Sequence, residues 1–257
     1  MKVETPQPHY SIIIPAFNEE EELPETLDAL RKAQAGLRWT GELVVTDNNS
    51  TDKTAAVAET AGARVVFESI NQISRARNAG ANIARGNWLV FVDADTRISA
   101  ELLHTALLSL DSGSVAGGGA LVSFDQPIRG FARLALNSWN FLSRTAKLAA
   151  GSFLFVRRDV FFAVGGFSEE VYAGEEVILS RAVRRYGKRH GLSFQIIKDP
   201  PVSTSARKLR WYSPHRIFFM VLFHALLPFS VRSRRACGFW YRRPKPSESS
   251  PTDGADR

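Results

Sequence analysis

The stretch WLVFVDADTR, residues 88–97, runs from apolar residues straight into two carboxylates. Its first five residues include two valines and two aromatic residues, which is typical of a buried strand. We predict a strand over residues 88–95, with Asp93 and Asp95 at its end. Either this strand simply reaches solvent there, or a site at its end needs two negatively charged oxygens.

The same alternation of strand and helix repeats on both sides of this stretch. Apolar, β-branched runs predict strands at residues 9–17, 41–47, 64–69 and 88–95. A helical pattern follows each strand, at residues 18–36, 50–62, 73–86 and 99–113. Such units in succession predict an α/β fold, a mainly parallel sheet with helices on both faces. Ligands of these sheets bind beyond the carboxyl ends of the strands.

The start of the first predicted helix carries a capping pattern. Asn18 can cap a helix, and Glu21 stands three residues later, where the acid of a capping box belongs. The pattern therefore predicts a helix that begins at Asn18.

The pattern becomes looser after residue 113. Strands are predicted over residues 114–124, 150–161 and 192–206, and a helix over residues 174–191. The segment 128–149 fits a basic amphipathic helix or a mobile loop. We expect an N-terminal extension over residues 1–9 and a main domain over residues 10–206. Its halves would be residues 10–113 and 114–206.

Positive charge is concentrated near the C-terminus. Residues 207–245 hold ten Lys or Arg and no Asp or Glu, whereas residues 1–206 have a net charge of −1. The apolar run Ile217–Phe229 is 13 residues long, short of the roughly 20 that span a bilayer. We expect this C-terminal amphipathic helical segment to contact an anionic membrane peripherally, and we expect no nucleic-acid partner. Residues 246–257 are Pro/Ser-rich, which favours disorder.

The cysteine content and the N-terminal residues indicate the cellular environment of the protein. Cys237 is the only cysteine, which excludes an internal disulfide and a cysteine-based zinc site. The first eleven residues lack the apolar core of a signal peptide. We expect a reducing environment and a position on the inner face of the cytoplasmic membrane.

Acidic residues recur at the predicted strand ends. They are Glu19, Asp47, Asp93 and Asp95. Carboxylates that converge on a cleft repel one another unless they bind a cation or hydrogen-bond donors. Because hard oxygen ligands suit Mg²⁺ or Mn²⁺, the sequence predicts a divalent cation here.

Five motifs together resemble the inverting family-2 glycosyltransferases with a GT-A fold. They are SIIIPAFNEEEELPETL, VVTDNNSTDKT, ARNAGANIARGNWLVFVDADT, AGSFLFVRRDVFFAVGGF and GEEVILSRAVRRYGKR, in the family's order over roughly residues 10–205. The resemblance implies a fold that binds a nucleotide sugar in the half 10–113 and transfers the sugar to an acceptor in the half 114–206.

The resemblance also implies roles at the donor site. The nucleoside would be bordered by Pro15, Ala16, Phe17 and Glu19. Asp47 would accept a hydrogen bond from the base, and Arg77 would approach base or phosphate, although Arg75 is as near. Asp93 and Asp95 match the family's DxD motif. Asp93 would face the ribose or sugar, and Asp95 would hold the metal that bridges the diphosphate.

The family keeps an acidic pair at the start of a late helix, which is Glu175-Glu176 here. Glu176 stands where the family usually has an aspartate base, so the assignment between Glu176 and Glu175 is open. Gly151 and Ser152 would shape the acceptor side or form a close-packing turn. Arg210 and Trp211 belong to RKLRW, a partial match to a motif of processive members, and would contact a phosphate and an acceptor sugar.

Plainer interpretations accompany these roles. Asp47 could make a turn, Glu176 could satisfy a helix dipole, and Arg77 could be a surface arginine. We expect a metal-dependent transferase that uses a UDP- or GDP-sugar and an acceptor hydroxyl or lipid phosphate, in synthesis of cell-envelope glycan or glycolipid. The alternatives are a sugar-nucleotide nucleotidyltransferase and a catalytically silent nucleotide-sugar-binding scaffold. The acidic PAFNEEEE after the first strand disfavours the nucleotidyltransferase, whose loop there is Gly-rich and basic.

Overall fold

The computed structural model describes residues 7–128, 130–205 and 228–238. Eight strands form a single sheet in the order β3-β2-β1-β4-β7-β6-β8-β5. The strands are β1 Tyr10–Ala16, β2 Gly41–Asp47, β3 Arg64–Phe67, β4 Trp88–Val92, β5 Thr96–Arg97, β6 Val115–Phe124, β7 Phe153–Arg157 and β8 Ser193–Thr204. The α/β fold predicted from the sequence is confirmed.

Helices cover both faces of the sheet. They are α1 Leu23–Gln34, α2 Thr54–Thr60, α3 Ile73–Ile83, α4 Ala100–Asp111, α5 Gly130–Ala146, α6 Arg158–Ala163 and α7 Glu175–Arg189, and a 3₁₀ turn covers Pro228–Arg232. Alternate residues of a strand point to opposite faces. Ile12 and Ile14 accordingly join a core with α1 and α4, whereas Ile13 joins a second core with α3 and α7.

Parallel pairing brings three strand ends together. β1 pairs in parallel with β2 on one side and with β4 on the other. The last residues of β1 and β2, Ala16 and Asp47, are direct partners. The carboxyl ends of β2, β1 and β4 therefore adjoin at one edge, as the sequence predicted. Beyond β4 the pairing turns antiparallel, first to β7 and then from β7 to β6.

The first helix begins later than its sequence suggested. α1 starts at Leu23, and its N-cap residue, Glu22, makes no side-chain capping hydrogen bond. Asn18 instead has a positive φ of 53°, and its Oδ1 accepts a hydrogen bond from Thr51 N at 2.8 Å. The predicted capping box was wrong because Asn18 ties the loop after β1 to the loop after β2.

Two strand boundaries also differ from the prediction. β4 ends at Val92, so the two aspartates lie in the turn that follows, where Thr96 N donates to Asp93 O at 3.0 Å. β7 ends at Arg157, and the rest of the predicted strand forms α6. An apolar run does not by itself distinguish a buried strand from a buried helix. The segment 128–149, predicted as helix or loop, contains α5.

Among the described residues, no helix combines the length and the apolar character that crossing a bilayer requires. Most of the segment 207–245 lies outside the described residues, as does the tail 246–257. The domain boundaries stay predictions.

Candidate active site

The loops that follow β1 and β2 form one wall of the candidate site, at the carboxyl edge of the sheet. Asn18 N donates to Ser50 Oγ at 3.0 Å, and Glu19 N donates to Thr54 Oγ1 at 2.8 Å. These backbone-to-side-chain bonds hold the two loops in fixed register. Of the residues predicted to border a nucleoside, Pro15 and Ala16 end β1 and are buried, whereas Phe17 and Glu19 lie in the loop that follows and are half-buried.

Asp47 makes a turn at the end of β2, which is one of the two roles weighed for it from the sequence. Its Oδ1 accepts a hydrogen bond from Ser50 N at 2.9 Å, and the side chain is mostly buried. The turn role weighed from the sequence is therefore real. It fixes the carboxylate at the end of β2 beside the β1 loop, where a nucleobase contact stays a prediction.

Arg77 lies at the centre of the site and is 1% exposed. Its Nη2 donates to Asp93 Oδ1 at 2.8 Å and to the Gly151 carbonyl at 2.9 Å, while its Nη1 donates to Glu175 Oε1 at 2.7 Å. The guanidinium also stacks over the Phe167 ring, with Cζ 5.2 Å from the ring centroid. One buried cation thus joins the DxD turn, the loop before β7 and the start of α7.

This position corrects one interpretation of Arg77. It is not a surface arginine, because it is buried and three acceptors fix its guanidinium. Its approach to a base or a phosphate stays a prediction. Arg75, the other candidate, pairs with Glu68 at 3.5 Å and with Glu169 at 2.6 Å. A fixed fork of donors explains why an arginine occupies this position.

The two glutamates at the start of α7 have different environments. Gly174, with a φ of 75°, makes the left-handed turn into the helix. Glu175 is 4% exposed and bound to Arg77. Burial, followed by the charge of Glu175, raises the pKa of Glu176, and the charge of Arg77 partly opposes them, so that the pKa is about 8. Glu176 therefore has the proton affinity of a base that works near neutral pH.

The predicted acceptor-side residues form the turn before β7. Gly151 and Ser152 are half-buried there, and the Gly151 carbonyl holds Arg77. A Cβ atom at residue 151 would lie 3.1 Å from Arg77 Nη2, so glycine allows this close approach. The close-packing turn is thus present, and a contact with an acceptor stays a prediction. Arg210 and Trp211 lie outside the described residues.

The DxD turn offers two carboxylates to a cation. Asp95 is 7% exposed, and the Asp93 side chain is 25% exposed with Oδ1 bound to Arg77. Within the described ranges, no group of three or more His, Cys, Asp or Glu side chains gathers as a complete metal cage. Two hard carboxylates fit a Mg²⁺ or Mn²⁺ ion that takes its other ligands from water and phosphate oxygens. These residues therefore fit the predicted cation.

The family model for glycosyl transferase family 2 matches residues 11–162, more than half of the chain. The chain belongs to glycosyl transferase family 2. The match contains both wall loops, Arg77, the DxD turn and the turn before β7.

Two curated relatives are similar to this family-2 chain. An uncharacterised glycosyltransferase of Mycobacterium tuberculosis is 38% identical over 104 residues, which cover 40% of this chain and 44% of the relative. The glycosyltransferase AglE of Haloferax volcanii is 28% identical over 181 residues, covering 66% of this chain and 59% of the relative. The chain therefore spans less than two thirds of either relative.

Solved structures share the fold. Mannosyltransferase PcManGT of Pyrobaculum calidifontis, in complex with GDP-Man and Mn²⁺, has a TM-score of 0.59 and 19% identity over 92% of this chain and 75% of its own. TarS of S. aureus, in complex with UDP-GlcNAc, has a TM-score of 0.60 and 18% identity over 76% of this chain and 58% of its own. At these identities the likeness shows the fold, which is GT-A.

The family-2 sequence motifs did not point to two amide side chains that brace the loop before α7. Asn48 Oδ1 accepts from Gln72 N at 3.0 Å, and Gln72 Nε2 donates to the carbonyls of Glu169 and Val171 at 2.8 Å each. Both amides are buried. The sequence did carry a signal for them. Asn48 directly follows β2 and Gln72 directly precedes α3, and buried amide side chains at such positions commonly satisfy backbone groups.

A C-terminal segment also packs against this loop of the family-2 domain. Tyr172 N donates to Val231 O at 2.6 Å, and Arg232 pairs with Glu170 at 3.1 Å. Cys237 is buried, and burial, with a smaller contribution from the Glu175 charge, raises the pKa of its thiol to about 11. Residues 228–238 thus lie against the loop that leads to the acidic pair, and the membrane contact predicted for the segment 207–245 stays a prediction.

Proposed function

We propose that this protein is a metal-dependent, inverting glycosyltransferase. It transfers a sugar from a nucleoside diphosphate sugar to an acceptor hydroxyl or lipid phosphate. The observation that carries the proposal is the pair of Arg77 contacts, 2.8 Å to Asp93 and 2.7 Å to Glu175. Arg77 thereby links two parts of the site. One is the turn expected to face the donor sugar, and the other is the acidic pair expected to supply the base.

The donor binds along the wall formed by the β1 and β2 loops. The nucleoside lies beside Pro15, Ala16, Phe17 and Glu19, and Asp47 accepts a hydrogen bond from the base. Such a bond suits N3–H of uracil and also serves guanine, so the donor is a UDP- or a GDP-sugar. The fixed register of the two loops supports this role, because a rigid wall loses little conformational entropy on binding.

The diphosphate lies at the DxD turn. Asp95 and Asp93 would hold Mn²⁺ or Mg²⁺ there, and a bound ion would supply positive charge to stabilise the nucleoside diphosphate as a leaving group. Arg77 holds Asp93 in an orientation toward the sugar. The presence of Mn²⁺ in the PcManGT complex supports the choice of ion for a protein of this fold.

Glu176 is the base. The acceptor oxygen forms a bond to the anomeric carbon, the bond from that carbon to the diphosphate oxygen breaks, and the acceptor proton passes to Glu176. A single displacement of this kind inverts the anomeric configuration. Glu175 acts as a positioning residue, because its carboxylate is committed to Arg77.

The acceptor approaches past Gly151 and Ser152, with Arg210 and Trp211 as further acceptor contacts. The product belongs to a cell-envelope glycan or glycolipid. The basic charge of residues 207–245 supports peripheral contact with the inner face of the cytoplasmic membrane.

A thermal-shift screen with UDP and GDP, each with and without Mn²⁺, tests the donor first. We expect one of the two nucleotides to raise the melting temperature only when Mn²⁺ is present. Hydrolysis of UDP- and GDP-sugars, and their transfer to added acceptors, then tests the chemistry. If neither nucleotide binds and no nucleotide sugar turns over in the presence of metal, the proposal is wrong.

A further inference from the structure

A groove rich in positive charge lies on the far part of α7, away from the acidic pair. It has a volume of about 530 Å³ and lies between the end of α5, α7 and the start of β8. Its basic side chains, which define the basic groove, are Lys147, Arg181, Arg184, Arg185 and Lys188. No carboxylate lines it among the residues that the structure describes. Arg181 lies six residues, roughly 9 Å, along α7 from Glu175. The basic groove is therefore distinct from the candidate active site at the start of α7.

The positive surface continues past this groove. A second cavity shares Lys147 and Ser193 with it and adds Arg144 and Lys198. All of these basic side chains are exposed. Among the described residues, no carboxylate lines either cavity, and charge of one sign over neighbouring cavities attracts an anionic partner.

Helix α5 carries exposed apolar side chains beside this charge. Leu134 is 62% exposed, Phe141 60% and Leu142 46%. Phe141 lies in cation–π contact with Arg144, with the guanidinium carbon 6.0 Å from the ring centroid. Leu134 and Phe141 are seven residues apart and share one face of the helix. The apolar face and the positive surface are therefore continuous.

The opposite face of α5 is anchored to the domain. Asn140 bonds Val122 N and O of β6, at 3.0 and 2.8 Å, and Ser143 Oγ donates to Leu148 O at 2.7 Å. Leu136 and Trp139 pack against the core. Because this face is fixed, the exposed apolar side chains are presented on a rigid helix.

We infer that α5 and the basic groove form a docking face for an anionic lipid bilayer. A soluble polyanion would be bound by the cations alone and would leave Leu134 and Phe141 in water. A bilayer accounts for both observations, because its headgroups pair with Lys and Arg while its acyl boundary accepts apolar side chains. The inference does not rest on the proposed transferase activity, because vesicle binding requires no donor sugar.

Flotation of the full chain with vesicles tests this face. The vesicles are phosphatidylcholine alone or phosphatidylcholine with phosphatidylglycerol. We expect binding only to the vesicles with phosphatidylglycerol. The double variant Arg185→Glu/Lys188→Glu should bind more than tenfold more weakly, because each basic residue near an anionic surface contributes about fivefold. The control Lys32→Glu/Arg38→Glu has the same net charge, lies on other surface helices and loops, and should bind as the parent chain does.

The apolar contribution is measured with Leu134→Gln/Phe141→Gln against the control Leu108→Gln/Phe162→Gln. Only the α5 pair should weaken binding. If the α7 double variant fails to fold, as judged by its melting curve, Lys147→Glu/Lys198→Glu replaces it. Equal binding of the parent, the charge variants and the apolar variants overturns the inference, and so does an equal loss in the controls. A chain that binds heparin but no vesicle overturns it in favour of a polyanion.

Discussion

Arg77 and Asp93 form an ion pair of 2.8 Å in which the arginine side chain is 1% exposed and the aspartate side chain 25%. The same guanidinium holds the almost fully buried Glu175 at 2.7 Å. Because the buried Arg77 guanidinium bonds both carboxylates, it fixes the distance between the turn after β4 and the start of α7. The geometry of the candidate site therefore depends on a side chain that hardly contacts solvent.

Replacement of Arg77 should be among the most damaging single changes in this domain. Arg77→Met leaves Asp93 and Glu175 without their cation, and breaking a buried ion pair costs about 3–5 kcal/mol. Urea unfolding should show this loss. Arg77→Lys should lose less unfolding free energy than Arg77→Met. It should still be less stable than the parent chain, since an ammonium group cannot bond Asp93 and Glu175 as the planar guanidinium does.

The control for Arg77 is Arg75→Ala on the same helix. Arg75 pairs with Glu68 and Glu169 at a more exposed position, so its loss should cost at most about 1 kcal/mol. Equal losses at the two positions would contradict the central role of Arg77.

Glu176 should make the folded protein less stable as pH rises. Its pKa is about 8 in the folded state against an ordinary value of 4.5, so the folded state holds a proton that the unfolded state has released between those pH values. Stability therefore falls as pH rises through this window. Glu176→Gln should remove that fall, raising the melting temperature by a few degrees at pH 8 and changing it little near pH 4.5.

The same substitution should abolish sugar transfer, because glutamine cannot accept the acceptor proton. In the parent chain, kcat/KM should rise with pH as Glu176 ionises. A variant that is both more stable at pH 8 and inactive would separate the catalytic role from a structural one. Full transfer activity in Glu176→Gln would refute the base assignment.

Asp95→Asn should eliminate metal-dependent turnover and leave the fold intact. The amide retains the size of the side chain but loses the charge that a divalent cation requires. Titration of Mn²⁺ in the presence of nucleotide, together with a melting curve, measures both effects. Asp111→Asn, at an exposed aspartate paired with Arg38, is the matched control and should retain activity. Metal-dependent turnover in the Asp95 variant would contradict the proposed site.

Gln72 should matter although it lies outside every motif. Gln72→Leu removes both donors to the Glu169 and Val171 carbonyls, and the unsatisfied groups should cost roughly 1–3 kcal/mol. Because this loop leads into α7, kcat should fall more than donor affinity does. Gln195→Leu, at an exposed position, is the control. A change in unfolding free energy without any change in kcat would limit Gln72 to a structural role.

Much of the site was readable from residues 88–97 and the units around them. Apolar alternation indicated the parallel strands, and parallel strands place their carboxyl ends at one edge, so the proximity of the β2, β1 and β4 ends followed from the pattern. The family resemblance drew on the same local motifs. The ends of the helices and strands did not follow from the pattern alone. Asn18, whose spacing suggested a helix start, instead bonds the loop after β2, and α1 begins at Leu23.

By itself, then, the sequence determined the α/β class, the family and the edge of the sheet where the acidic residues gather, because these depend on local periodicity and motif spacing. Only the tertiary structure decided that Arg77 is a buried link between Asp93 and Glu175, 16 and 98 residues away along the chain. It alone placed Pro228–Gly238 against the loop before α7. A side chain's burial and the pKa of a carboxylate depend on which distant groups surround it, and that information arises only when the chain folds.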